Sequence, residues 1–309
     1  MSTSTVALEP EVKGRARSRR VRTGPSLWLL APAAILFIMF AIVPLFGAVG
    51  LSLTSWNGLG VPAWTGMTNW QSVLSDPVTW GTVVLSFKVM IGSWLIQTPL
   101  SLLLGVWVAK EGRSRAFVAV IYFLPLLLSS AAVGLTFKNL LDPNFGLTAM
   151  EGIGPLSHNW LGDPNTVLWV VIWIIAWHFI PLHTLLYQAG VRQIPKSLYE
   201  AAAVDGASGF RQFISITLPQ LKYTIVTSST LMLVGSLTYF DLIFVLTAGG
   251  PGYATRILPL HMYLTGFQAA DMGKASAIAT LLAFIGLVLS LTLTRASGFT
   301  KMQSQQAGM

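Results

Sequence analysis

From residue 27 to residue 53 the chain runs almost without interruption in apolar side chains. Five more such stretches follow, at about 82–109, 116–137, 166–190, 221–247 and 275–295. A helix needs about 20 consecutive apolar residues to cross the hydrocarbon core of a bilayer, and each stretch is near or above that length. Charged residues make up 10% of the chain and hydrophobic ones 53%, whereas a soluble domain is about one quarter charged. So little polar cover excludes a soluble enzyme, a nucleic-acid module and a disordered regulator. The first stretch is longer than the apolar core of a signal peptide and reads as a helix that stays attached. The expected fold class is all-α: a polytopic membrane protein with six transmembrane helices. Residues 1–26 form a basic cytoplasmic tail, 27–295 the membrane domain and 296–309 a second cytoplasmic tail.

Basic residues give this arrangement a direction, because cytoplasmic loops carry the excess of Lys and Arg. With the N-terminus inside, fifteen of the 19 fall in inner segments. Six crowd the tail (Lys13, Arg15, Arg17, Arg19, Arg20 and Arg22). Lys110, Arg113, Arg115, Arg192, Lys196, Arg211, Lys222, Arg295 and Lys301 are the rest. Only Lys138, Arg256 and Lys274 fall outside, and Lys88 falls within the second span. Both termini are therefore expected in the cytoplasm of a bacterial inner-membrane protein. The net charge of +8 is a topology signal and an attraction to anionic membrane lipid, not a nucleic-acid footprint.

The outer loops are rich in Trp: Trp56, Trp64, Trp70 and Trp80 in the first, Trp160 in the second. They suit the membrane interface or a surface for an extracytoplasmic partner. Prolines interrupt four spans (Pro32 and Pro44, Pro99, Pro125, Pro181), which neighbouring helices tolerate. There is no cysteine, and no internal repeat is evident. The four histidines are scattered, with His178 and His183 five residues apart and off a shared helical face, so no metal or other cofactor is expected. A phosphate-binding loop is missing as well. Gly273-Lys274-Ala275 lacks the hydroxyl, and Gln268 stands where the first glycine belongs.

The inner loop 191–220 departs from the apolar pattern. Pro195 suits a first helical turn. Leu198, Ala201, Ala202 and Ala203 continue a short helix with a small face, and Gly206 and Gly209 stop or bend it. Phe210, Phe213, Ile214 and Ile216 make a second amphipathic piece before Pro219. A bulky residue at Gly206 is expected to clash at the turn. A short helix with an apolar knob and one carboxylate, Glu200, fits a groove on a cytoplasmic partner; the plainer reading is a helix lying on lipid.

The run Glu200-Ala201-Ala202-x3-Gly206-x9-Ile216-x-Leu218-Pro219 resembles the EAA motif of the permease subunits of bacterial binding-protein-dependent ABC importers. The run from Phe240 through Gly249-Gly250-Pro251-Gly252 is similar to the carbohydrate branch, of the maltose-transporter first-permease type. That family often has a further glycine where this chain has Ala248. The resemblance covers residues 27–295 and implies the type I ABC importer permease fold. It implies that the loop, with Glu200, Ala201, Ala202, Asp205 and Gly206, is the coupling helix seated in a cleft of a cytoplasmic ATPase dimer, Glu200 facing a basic residue there. It also implies a second, related permease subunit, an extracytoplasmic sugar-binding protein, and no catalysis by this chain.

Ser236, Thr238 and Tyr239 fall in the outer half of the fifth span if it rises evenly by about 1.5 Å per residue, with Asp241 near the outer interface. His178 and Phe179 fall near mid-membrane on the fourth. In the resembled family these two helices contact the sugar, so the expected substrate pathway is Phe179, Leu182, Ser236 and Tyr239, with His178 and Phe240 beside them. A neutral, aromatic-lined site suits a sugar. Glycerol phosphate or a polyol is the alternative cargo, though a phosphate favours cations and only Lys88 is near. A membrane enzyme or channel without an ATPase would need a polar set that the sequence lacks.

Overall fold

The computed structural model describes residues 27–110, 112–150 and 157–296. Among these, four helices are long and apolar enough to span a membrane, or six if each of two sharply bent helix pairs is one span. The chain divides into two compact units, Met1–Pro44 and Leu45–Met309. The first helix, α1 (Trp28–Leu51), buries none of its apolar window. A helix that is hydrophobic on every face needs lipid or another chain around it.

In the second unit the loop after α1 pairs two short strands, β1 (Thr54–Ser55) and β2 (Ala63–Trp64), in antiparallel register. The Asn69 amide donates to the carbonyls of Ser52 and Thr54 at 2.9 and 2.8 Å. The indoles of Trp56, Trp70 and Trp80 donate to Gly60 O, Ser52 Oγ and Leu74 O. These tryptophans thus knit the loop internally, while Trp64 stays exposed. A short helix, α2 (Thr68–Ser75), leads to α3 (Pro77–Ala109), which is capped by Asp76 accepting from Val78 N. α3 begins five residues before the apolar stretch. Lys88 lies twelve residues into it, on an exposed face.

α3 packs along α6 (Val167–Arg192), the most extensive helix pair in the chain. Small residues let the backbones approach, as is usual where lipid removes the hydrophobic drive between helices. A Cβ on Gly105 would sit 2.7 Å from Tyr187 Cβ and 3.0 Å from the Thr184 carbonyl. Tyr187 clusters there with Leu102 and Leu221, and a separate, larger core gathers Val89, Val171, Ile172, Ile175, Leu242, Ile243 and Leu260.

Two of the expected spans are not continuous rods. The stretch 116–137 is α4 (Arg113–Leu127) and α5 (Ser130–Leu140), meeting at 98°. Pro125 lies just before the break, and Ser129 restarts the helix by accepting from Ala132 N. The stretch 221–247 is α9 (Lys222–Ser236) and α10 (Asp241–Thr247), bent by 51° across residues 237–240. Between α6 and α9 run α7 (Lys196–Val204) and α8 (Gly209–Gln212), the latter continued by a π turn at Phe213–Thr217 and by Leu218–Gln220. After α10 come α11 (Leu258–Tyr263) and the last span, α12 (Met272–Ala296). Ala248 ends α10 with φ 51°, a left-handed conformation that costs a non-glycine residue about 1–2 kcal/mol. Glycine at this position in the resembled family has its physical reason there.

The close approach at Gly105 makes a prediction. Gly105→Val should cost about 1–3 kcal/mol through overpacking, read as a lower melting temperature of the detergent-solubilised chain. An unchanged melting temperature would mean that α3 and α6 are not held at this distance.

Candidate functional site: the 191–220 loop and the cavity between α6 and α9

The loop is built as one folded piece. α7 ends through a paired hydrogen-bond motif: Ala207 N donates to Ala202 O at 2.8 Å and Gly206 N to Ala203 O at 3.1 Å. This double closure needs a left-handed residue after the cap, and Gly206 supplies it at φ +73°. No atom lies within 4 Å of a Cβ placed on Gly206. The expected steric clash is therefore corrected: the turn excludes side chains by backbone conformation, not by crowding. Ser208 opens α8 by accepting from Arg211 N, and Gln212 Nε2 donates to Ala207 O. Tyr199 on α7 bonds Thr217 at 2.9 Å, O to O, tying the two helices together.

The outer surface of this piece is open. Glu200, Ala201, Asp205 and Gly206 are exposed and Ala202 is half-buried. Val204 is 88% and Phe210 77% exposed. Two large apolar side chains thus stand exposed beside two carboxylates. Sequence reasoning gave Val204 no role. Its signal was a branched apolar residue at the end of a short helix, next to the glycine turn.

The second feature is a cavity of ≈ 370 Å³ lined from α6 by Ile175, Phe179, Leu182 and His183 and from α9 and its break by Leu231, Met232, Gly235, Thr238, Tyr239 and Phe240. Ser130, Asp241 and Leu242 complete it. The rings of Phe179 and Tyr239 stack with centroids 5.2 Å apart and 22° between planes. His178 meets the edge of Phe179 at 4.6 Å but does not line the space. His183 Nδ1 bonds Ser228 Oγ at 2.9 Å.

Of the four expected pathway residues, Phe179, Leu182 and Tyr239 come together here. Ser236 does not. It is buried and donates to the Leu233 carbonyl at 2.7 Å. The even-rise arithmetic failed because α9 stops at Ser236, and residues 237–240 turn Thr238 and Tyr239 toward the space instead. Ile175, Leu182 and His183 were within reach of helical periodicity, at four-residue and three-residue steps from Phe179. Ser130 and Asp241 were not, because both sit just past helix breaks. Asp241 puts one carboxylate on a lining expected to be neutral. No cation lines the space, and Lys88 lies elsewhere. Among the described residues no cluster of His, Cys, Asp and Glu could hold a metal.

Broken membrane helices around a largely apolar cavity, with a folded loop between two of them, mark a polytopic membrane protein. The model of the binding-protein-dependent transport system inner membrane component family matches residues 97–297, and the chain belongs to that family. It is a multi-pass membrane subunit and not an enzyme; ATP hydrolysis resides in a separate subunit. A probable ABC transporter permease, YurN of Bacillus subtilis (strain 168), is 32% identical over 271 residues, covering 85% of this chain and 93% of that protein. The trehalose/maltose transport system permease MalF of Thermococcus litoralis is 31% identical over 270 residues, covering 86% and 90%. Among solved structures, a bacterial alginate ABC transporter in complex with its pentasaccharide-bound periplasmic protein superposes with a TM-score of 0.78 at 23% identity, over 90% of this chain and 96% of that one. The fold is that of type I importer permeases.

The geometry of the turn gives a second prediction. Gly206→Ala and Gly206→Leu should weaken the loop to a similar extent, by about 1 kcal/mol, because both pay for backbone strain and a Cβ at this position meets no neighbour. Amide exchange at Ala207, whose N–H closes the turn, measures it. A much larger effect of Leu than of Ala would restore the crowding explanation.

Proposed function

We propose that this chain is the permease subunit of an ATP-driven importer that carries a sugar or oligosaccharide across the cytoplasmic membrane by alternating access. The observation that carries the reading is the cavity between α6 and α9. It offers two stacked aromatic rings, hydroxyl groups and one carboxylate, and no cation. Aromatic faces pack on the C–H faces of a sugar, and hydroxyls and a carboxylate accept and donate around its rim. A phosphate ester would find no positive partner there, which disfavours glycerol phosphate. The relatives named for trehalose/maltose transport and, in Streptococcus mutans, for multiple sugar-binding transport support the sugar reading.

In this proposal an extracytoplasmic binding protein delivers the sugar to the outer loops, and a second permease completes the path. An ATPase dimer receives α7 in a cleft, with Val204 and Phe210 as apolar knobs. Glu200 faces a cation of the ATPase and forms a charge-assisted bond worth about 1.5–3 kcal/mol. Closure of the ATPase pushes the loop, and the loop pushes α6 and α9, which wall the cavity.

Uptake of the cognate sugar and ATP hydrolysis, measured in membranes with matched subunit levels, test this. Tyr239→Ala should lower uptake strongly and leave basal hydrolysis intact. Ser236→Ala should leave both near wild type. Glu200→Ala should lower uptake and the hydrolysis that binding protein stimulates, together. Unchanged uptake in Tyr239→Ala would move the sugar site to the partner permease. Co-purification without any ATPase would overturn the transporter reading in favour of a channel.

The topology has its own test. With both termini and the 191–220 loop cytoplasmic, alkaline phosphatase fused after Gly206 should be inactive, and fused after Asn144 active. The reverse pattern would invert the path.

A further inference from the structure

A second cavity lies behind the 191–220 loop. Its volume is ≈ 850 Å³, more than twice that of the cavity between α6 and α9. Three cations line it from the ends of three helices: Lys110 directly follows α3, Arg192 is the last residue of α6, and Lys196 is the first of α7. No acid is among the described residues that line it. The remaining wall is largely apolar, with Val106 one turn back on α3, Ile194 in the connection and Phe213 in the π turn after α8.

Cations grouped over an apolar floor, where two spanning helices end, match one ligand chemistry: an anionic headgroup attached to hydrocarbon. Basic pockets between helices at this depth hold such headgroups. A free anion would use the cations and leave the floor empty. The carboxylates and knobs proposed to meet the ATPase (Glu200, Asp205, Val204 and Phe210) do not line the cavity, so it is distinct from that docking surface.

We propose that this cavity holds an anionic phospholipid of the phosphatidylglycerol type, its phosphate against Lys110 and Arg192 and its glycerol-ester region on Val106, Ile194 and Phe213. Tyr199 also lines the space, and its hydroxyl ties α7 to α8. A bound lipid therefore fills the hollow behind the coupling loop and stiffens it. The proposal is independent of which solute is carried.

Native mass spectrometry of the full chain tests it, after exchange into micelles doped with phosphatidylglycerol or with phosphatidylcholine of the same acyl chains. Wild type should retain one phosphatidylglycerol and no phosphatidylcholine. Lys110→Gln with Arg192→Gln should weaken retention roughly tenfold or more, and the charge-conserving pair Lys110→Arg with Arg192→Lys should restore it. Ala109→Trp, which narrows the cavity and keeps its charge, should also weaken retention. Arg295→Gln, a basic change at the end of α12, should not. Equal retention of phosphatidylcholine, or an equal loss in Arg295→Gln, would reduce the effect to diffuse attraction and overturn the site. Displacement of phosphatidylglycerol by millimolar inorganic phosphate would overturn the lipid in favour of a free anion.

Discussion

The contact between α3 and α6 is the constraint on which the rest of this molecule depends. Lipid offers no hydrophobic gain for bringing two apolar helices together, so their association rests on close packing. Gly105 supplies it by removing the side chain that would strike Tyr187 and the Thr184 carbonyl. Once α6 is fixed there, its nearby end at Arg192 fixes the start of the 191–220 loop, and its middle presents Phe179, Leu182 and His183 to α9. The cavity and the 191–220 loop are thus set by the middle and the end of one anchored helix.

The breaks in α4–α5 and α9–α10 serve the cavity in a way that straight spans would not. A continuous helix satisfies its own backbone and leaves only side chains for a ligand. A break at 237–240 turns Thr238, Tyr239 and Phe240 into the space in succession, which no helical face allows, and brings Asp241 to the rim. Irregular backbone at membrane depth is tolerated where it is buried in protein or lines a water-filled cavity. Residues 238–240 line the cavity, and Leu237 is buried.

Much of this was legible in the sequence, and the pattern of failures is physical. The apolar stretches, their lengths and the glycine turn at 206 follow from local chemistry, and the hydrogen bonds at Ala207 and Gly206 realise the turn. Phe179, Leu182 and Tyr239 were found because aromatic and apolar residues on two helices flanking one loop converge. Ser236 stays off the cavity because α9 stops there; Gly235 was a local signal of that stop, but helical periodicity alone makes no use of it. The same blindness hid Ser130 and Asp241. The clash assigned to Gly206 failed for another reason: sequence shows that glycine is required, but not whether space or backbone conformation requires it.

The fold of the loop has a mechanical consequence. Two hydrogen bonds close the end of α7, Gln212 reaches back to Ala207, and Tyr199 bolts α7 to Thr217. A piece held at so many points rotates as a body and does not fray under load. The sharp bend of this part of the chain lies outside the loop, at 237–240, one helix length away. In the proposed transporter, a stroke applied at α7 would be delivered across α9 to the break at the cavity wall. Stiffness and compliance are separated along a single stretch of chain, as the handle and the joint are in a pair of tongs.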